Sequence, residues 1–442
     1  MPVKKIEKST GGLERWFRRF AERPHCAWLD SSGDSPDAEW SILAADPVET
    51  RRGPAEDLVA WMDEWEERLR PLQSDCSLPF VGGLIGQLDY AADPFGYPPE
   101  SRPCLSGWMG LYDRALLEHR PTGTLFAVVG DWLDDADELL RCWMASLSSE
   151  GEPLKKPEPV RSTRPVPNQS RAEYVRGVAR VREWIAAGDI YQANLSQRFS
   201  CVVTSDPVDL YLSLRSENPA PYSAFVDCGD RCILSSSPEL FLAVERDRRI
   251  RTRPIKGTRP RSDDLEEDAV LAATLRSNVK ERSELLMIVD MERNDLGRVC
   301  KIGSIQADRE FALESFASVH HLIGEVSGTL QDSMKLSDVL AATFPGGSIT
   351  GAPKCRSMEI IQLLEPGGRG AYCGTIGFVT AGGVSKWNIA IRTLELSGEV
   401  LEFGVGAGIV WDSDPGAEYE ETLHKARKLF TTLGWEIEEE DL

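Results

Sequence analysis

Histidine is scarce in this chain, with five in 442 residues, and its ten cysteines include no paired CxxC spacing. The nearest approach, Cys228 and Cys232, leaves three residues between them. Zinc sites draw on clustered His and Cys donors, so the chemistry is not expected to rest on zinc. Unpaired thiols read as the reduced, mostly buried cysteines of a cytosolic protein. No run reaches the roughly 18 apolar residues that a membrane span requires. The opening MPVKKIEKSTGG has no apolar signal core, and a soluble cytoplasmic protein is the expectation. Base is short relative to acid: 50 Lys plus Arg stand against 71 Asp plus Glu, a formal charge of −21. That balance argues against nucleic-acid backbones and anionic membranes as main partners. It leaves room for a small anion in a local cationic pocket.

What is present is a chain long enough for a large core, with its clearest composition break at SSEGEPLKKPEPVRSTRPVPNQS, residues 148–170. Rich in proline and charge, that stretch reads as a linker or surface loop between an N-terminal region, 1–147, and a main region, 171–442. Before it, short apolar runs such as LFAVVGDW and glycine-rich bends predict strands, with helices near 13–22 and 136–148. After it, apolar Tyr174, Val175, Val178, Val181 and Ile185 predict a helix ending at Gly188, followed by a strand. Ser262 is placed to cap one long helix over about 263–294. The segment from Cys373 to Trp411 reads as a three-stranded meander turning at Gly382-Gly383 and Ser397-Gly398, and a last helix covers about 417–433. The fold class is α+β with two large, mainly antiparallel sheets.

Two glycine motifs invite nucleotide readings and fail on context. FPGGSITGAPK has the glycine separation of a phosphate loop, but Ala352-Pro353 stands where Lys-Ser/Thr is required. GVGAG, 404–408, is followed by strand residues instead of the helix a dinucleotide turn needs. Physically, the Gly-Gly-Ser turn predicts an anion-receptive helix start with Pro353 in its first turn. Glycines inside a strand let a ligand approach the backbone. Glu284 beside an apolar run, and Glu418 and Glu421 at i,i+3 with Lys425 one turn on, are the candidate ligands for a hard cation, Mg²⁺. RTRPIKGTRPRS, 251–262, sets Arg251, Arg253, Arg259 and Arg261 around Lys256 in a turn bounded by Pro254 and Gly257.

Together these stretches resemble the chorismate-utilising enzymes. GDIYQANLSQRF, SSSPELFL, RPIKGTRPR, ERSELLMIVDMERNDLGRV, HHLIGEVSG, FPGGSITGAPKCRSMEII, AYCGTIGF, NIAIRTLEL, GVGAGIVWDSDP and EYEETLHKA carry the resemblance over about residues 170–435, in family order. WSILAADP and GGLIGQLDY extend it toward the N-terminus. It implies a four-layer α/β/β/α composite domain like that of anthranilate synthase component I, with the site in a cleft between two sheets. It also implies chorismate as substrate and Mg²⁺ as cofactor. By motif, Glu284, Glu418 and Glu421 serve the Mg²⁺, while Arg392 and Tyr372 hold the enolpyruvyl group. Gly406, Ala407, Gly408 and Lys425 bind the ring carboxylate, and His321 and Ser348 line the ring, with Gln192 and Thr258 among the substrate contacts. Ser348 replaces the commoner Thr and keeps the hydroxyl, and Gly324 stands where Ser is more usual.

Two positions select within the family. Isochorismate and salicylate synthases carry a water-activating lysine where this chain has Gln192, which cannot act as that base. Anthranilate synthases carry alanine where this chain has Lys256, and lysine there marks the branch that aminates carbon 4. The resemblance implies that Lys256 attacks carbon 2 and that Glu239 protonates the departing hydroxyl and later takes a proton from ammonia. The neighbouring arginines, together with Mg²⁺ and burial, are expected to keep Lys256 neutral often enough to attack. Amination at carbon 2, or an inactive scaffold for an amidotransferase, are the alternatives. No nucleophile-elbow cysteine with a matching histidine occurs, so ammonia is expected from a separate glutamine amidotransferase subunit in a heterodimer. AWLDSSGDSPDAEWSILAADP resembles the region that holds tryptophan in relatives, making tryptophan a candidate ligand.

Overall fold

Period-two alternation builds the sheets and assigns their faces. In the strand Tyr222–Asp227, Ala224 and Val226 face one apolar cluster while Phe225 faces another. In Gly83–Leu88, Leu84 and Ile85 likewise separate to opposite sides. The computed structural model describes residues 3–6, 12–33, 35, 37–71, 78–90, 106–130, 132–147, 155–262, 264–308, 311–315 and 319–437. Its strands form a 12-stranded, a 9-stranded and a 3-stranded sheet, with antiparallel pairing throughout the described ladders.

Three apolar clusters separate four layers. One packs the helices Glu14–Ala21, Ala136–Ser146, Arg171–Ala187 and Pro415–Thr432 on the larger sheet, with Phe17, Trp143, Val178 and Leu423 among its members. A second lies between the two large sheets, around Ile85, Tyr112, Leu117, Val226 and Phe378. The third packs Ala55–Leu69, Val279–Gly297 and Leu336–Thr343 on the smaller sheet. The fold is therefore α+β in the order α/β/β/α. No helix among the described residues is long and apolar enough to cross a membrane.

Helix ends follow their side chains. Ser170 and Glu173 form a capping box at the start of Arg171–Ala187, and Gly188, at φ 81°, ends it. The single helix expected over 263–294 is instead two, Leu265–Ser277 and Val279–Gly297. Asn278 is the cause: extended at φ −68°, ψ 110°, it closes the first helix and accepts from Glu281 N–H to open the second. The first is capped by Asp264 instead of Ser262, whose hydroxyl donates to Glu267.

The expected C-terminal meander is also corrected. Thr375–Thr380 and Ser385–Asn388 form a hairpin in the smaller sheet, while Thr393–Ser397 and Val400–Ile409 form one in the larger. Residues 389–392 cross between them, and Ile389 N–H donates to Glu239 O on the way. After Gly346, the chain makes a 3₁₀ turn, Gly347–Ile349, and a short strand, Gly351–Ala352, before the helix Lys354–Leu364. The Gly-Gly-Ser turn therefore does not open directly into that helix. Pro353 precedes the helix's first residue, and Lys354 in its first turn is occupied by Asp295 and the Thr343 carbonyl.

The proline-rich segment 148–170 is described from residue 155. There Val166–Pro167 pairs with the edge of Gln192–Val202, as proline permits at a sheet margin. Strands from the first 147 residues are built into both large sheets: Ala27–Asp30 pairs with Tyr222–Asp227, and Gly83–Leu88 with Thr375–Thr380.

Candidate active site

The site forms where these late crossings meet. Lys256 lies on Ile255–Pro260 at a bulge, with Gly257 at φ 74°. A Cβ on Gly257 would stand 2.5 Å from Glu281 Oε2 and 2.7 Å from Leu275 Cδ1, so the turn fits closely beneath both helices that meet at Asn278. Across the cleft runs Val400–Ile409, whose alternate glycines present a bare face. A Cβ on Gly408 would lie 2.9 Å from Gln192 Nε2 and 3.5 Å from Lys256 Nζ. The lysine therefore ends over the glycine strand, beside Gln192, whose Oε1 is buried without a hydrogen-bond partner.

Burial pushes the Lys256 pKa down, and the Lys425 ammonium adds to the effect, while Glu284, Glu239 and Glu421 oppose it. The arginines do not supply the push expected of them. Arg253 is held by Asp37 and Glu314, Arg251 stands 3.7 Å from Asp37, Arg259 pairs with Glu281, and Arg261 with Asp268. Each stands beside an acid, and none is among the groups that chiefly move the Lys256 pKa.

Glu239 is 3% exposed. Burial raises its pKa, against the Ser348 hydroxyl, Lys256, the Ile255 N–H at 3.4 Å and Arg392. Arg392 sits in the left-handed region at φ 51°, and its Nη1 donates to Asn218 at 3.3 Å. It makes no ion pair among the described residues, and burial lowers its pKa with only Glu239 opposing. A half-buried guanidinium without an ion-paired carboxylate has the donor fork that a carboxylate ligand would fit.

His321 faces the same cleft. Its Nδ1 stands 3.0 Å from Thr258 Oγ1 and 3.3 Å from Gly257 O, and burial, with Arg392, lowers its pKa to about 3. The ring is neutral at ordinary pH. Tyr372 is placed differently, its ring lying against Gly404 and 6.0 Å from the Arg369 guanidinium. The next residue, Cys373, donates its N–H to Ala390 O, two residues before Arg392. Ala407 faces away from the glycines into the helix-side core.

Glu284, Glu418 and Glu421 come from two helices. Burial raises the Glu284 pKa against Lys256, and Lys425 and Lys256 hold that of Glu421 down against burial. Lys425 Nζ bridges Glu421 at 2.8 Å and the Gly406 carbonyl at 2.9 Å. Glu418 accepts from Ser413 at 2.5 Å through Oε1, while its Oε2 is buried without a partner. Among the described residues no group of three His, Cys, Asp or Glu is close enough to hold a metal ion by itself. An incompletely satisfied carboxylate set fits a hard cation that takes its remaining ligands from water or substrate.

Two residues escaped the sequence reading. Glu292 is 6% exposed, accepts from Thr252 at 3.2 Å, and has its pKa raised by burial and by Glu239. The helical period could have found it, because Leu285, Ile288, Val289, Glu292, Asp295 and Leu296 form one buried stripe. The other is Lys280, one turn before Glu284, whose Nζ stands 4.0 Å from the Glu284 carboxylate.

Residues 25–431 match the family described as chorismate binding enzyme. The chain belongs to the chorismate binding enzymes. It is similar to the aminodeoxychorismate synthase component 1 of Salmonella typhimurium, 38% identical over 441 residues, covering 94% of this chain and 95% of that one. It is 40% identical over 376 residues to the anthranilate synthase component 1 of Streptomyces coelicolor, covering 80% of this chain and 73% of that one. Among solved structures, anthranilate synthase component I from Streptococcus pneumoniae superposes with a TM-score of 0.74 at 32% identity, covering 89% and 92% of the two chains.

Proposed function

We propose that this chorismate binding enzyme is the synthase component that replaces the carbon 4 hydroxyl of chorismate with ammonia, giving 4-amino-4-deoxychorismate for 4-aminobenzoate and folate synthesis. The observation that carries the reading is Lys256 Nζ poised over Gly408, beside Gln192, in the cleft that holds buried Glu239. The neutral Lys256 amine forms a bond to ring carbon 2, the ring double bonds shift, and the carbon 4 hydroxyl leaves as water with the proton from Glu239. Ammonia then bonds to carbon 4, the double bonds return, and the carbon 2–Nζ bond breaks. Glu239 regains a proton from the ammonia nitrogen, and the lysine leaves as an amine. One difficult substitution becomes two easier ones, and chorismate and ammonia are consumed for one aminated product and one water.

Arg392 is the receptor for a substrate carboxylate, neutral His321 and Ser348 line the ring, and Lys425 with the glycine backbone of 406–408 positions the second carboxylate. Glu284, Glu418 and Glu421 would hold Mg²⁺, which when bound neutralises a ring carboxylate. Ammonia comes from a separate glutamine amidotransferase subunit. A cavity of about 150 Å³ between the sheets, lined by Leu29, Ser31, Trp40, Tyr222, Trp387 and Asn388, supports tryptophan as a second ligand. The buried Trp387 indole N–H there has no partner. Equilibrium dialysis with no tryptophan bound at millimolar concentration would remove that ligand.

The relatives named anthranilate synthase keep amination at carbon 2 as the rival reading. Incubation with chorismate, Mg²⁺ and an ammonium salt separates them. A 4-aminobenzoate signal that requires an added lyase supports carbon 4 amination, and anthranilate as the major direct product overturns it. Absence of any chorismate turnover favours an inactive scaffold.

A further inference from the structure

Another arginine stands behind the cleft and takes no part in the steps above. Arg369 is 5% exposed, a degree of burial that a guanidinium tolerates only when it is paired and hydrogen-bonded. Its Nε donates to Glu365 Oε2 at 2.9 Å and its Nη2 to Glu365 Oε1 at 2.7 Å, which fixes the planar fork in one orientation. The fork also reaches two backbone carbonyls, Nη1 donating to Ile349 O at 2.8 Å and Nη2 to Asn194 O at 2.7 Å. Glu365 Oε1 in turn accepts from the N–H and the hydroxyl of Ser196, at 2.8 and 2.7 Å. The guanidinium lies 4.5 Å from the centre of the Tyr90 ring and 6.0 Å from that of Tyr372.

The places of these partners matter more than their number. Asn194 is opposite Gly408 in the sheet and Ser196 is opposite Gly406, so the Arg369–Glu365 pair grips the strand beside the glycines. Ile349 follows Ser348 and ends the 3₁₀ turn that carries it. Tyr372 seats its ring against Gly404, where a Cβ would collide with it. The glycine strand, the Ser348 turn and the Tyr372 ring come from separate stretches of the chain, and one guanidinium touches the support of each. We propose that Arg369, held by Glu365, is a positioning residue that keeps these three walls of the chorismate site in register. This rests on the reading that chorismate lies over the glycine strand beside Ser348. A salt bridge for stability alone would need only the carboxylate. Here two of the four bonds go to carbonyls of different segments, which a lysine ammonium cannot reach while also holding both carboxylate oxygens.

The test compares wild type with Arg369→Lys, Glu365→Asp, Ser196→Ala and Val178→Ala. The last is a packing loss on the helix side of the larger sheet. Initial rates of chorismate consumption are measured against chorismate and, separately, against ammonium, with Tm recorded for each protein. Lysine keeps the charge without the fork, and aspartate is one methylene short of spanning Arg369 and Ser196. Each should raise KM for chorismate on the order of tenfold and leave KM for ammonium unchanged, because displaced walls loosen the substrate's seat. Ser196→Ala, the mildest of the three, should raise it by less. Isothermal titration with chorismate in the absence of ammonia should show the same weakening. Val178→Ala should lower Tm while both KM values hold, since partial unfolding removes active molecules without altering those that remain. An unchanged chorismate KM in any of the three site variants that folds, or a rise matched by Val178→Ala, overturns the positioning role. Gly408→Ala examines the underlying reading separately: unchanged chorismate affinity in that variant overturns the placement of substrate over the glycine strand.

Discussion

Lys256 is useful as a nucleophile only when neutral, and Glu239 is useful as an acid only when protonated. Burial moves both in the needed direction, the amine downward and the carboxyl upward. The rate of amination, measured at fixed free ammonia, should rise with pH on the acid side as Lys256 loses its proton. It should fall on the alkaline side as Glu239 loses its own. Glu239→Gln should abolish the alkaline fall and lower the rate by roughly 10²–10⁴. Lys256→Ala should abolish carbon 4 amination while chorismate still binds, and normal turnover in that variant would refute the covalent step. His321 gives a stability prediction of opposite origin. Its pKa falls from 6.5 to about 3 in the folded protein, so the unfolded chain binds the extra proton between those values. The stability it confers is complete above about pH 6.5 and is lost as pH falls toward 3. His321→Gln should flatten that part of the denaturation midpoint against pH. The family resemblance singled out Glu239, Lys256 and the three glutamates as candidates before their surroundings were known. The fate of the arginines was not legible in advance, because their partners Asp37, Glu281 and Glu314 lie at other places in the chain and only folding brings them together.

At the scale of elements, local signals were read well wherever one side chain decided the outcome. Gly188 stops a helix, Ser397-Gly398 turns a hairpin, and the glycines of 404–408 sit in a strand as their context required. The failures came where two outcomes share one pattern. A helix-forming stretch does not announce that Asn278 will cap in both directions, and alternating strands do not state which sheet they join. Asn278→Ala should cost about 1 kcal/mol through loss of the cap, read as a lower urea midpoint at unchanged slope. Because Val279–Gly297 carries Glu284, metal affinity should fall with it. Gly408→Ala is a sharper probe. The added methyl lies 2.9 Å from Gln192 Nε2 and 3.5 Å from Lys256 Nζ, so KM for chorismate should rise with little change in Tm. An unchanged KM would show that the strand's bare face is not where substrate sits.

For the whole molecule, composition forecast a large core and periodicity forecast α+β, but three separate apolar layers could be counted only after folding. The break at 148–170 is a break in composition without being a break in architecture. A fragment beginning at residue 155 would leave Tyr222–Asp227 without Ala27–Asp30, and Thr375–Thr380 without Gly83–Leu88. Such a fragment should be insoluble or fail to unfold cooperatively, whereas co-expression with residues 1–154 should restore a soluble complex.

The strand order has a consequence for how the protein is made. Thr393–Ser397 and Val400–Ile409 lie between Cys232–Ser237 and Gln192–Val202 in the larger sheet, and the last hairpin of the smaller sheet lies between Leu240–Val244 and Gly83–Leu88. On a ribosome adding about 5–20 residues per second, these earlier strands emerge many seconds before the ones that will separate them. Each nascent half-sheet must wait with an open edge, the arrangement most prone to pair with the wrong chain. The central strands are the final ones synthesised, so the nascent chain gains the cleft over its glycine strand and closes these open edges in the same late step.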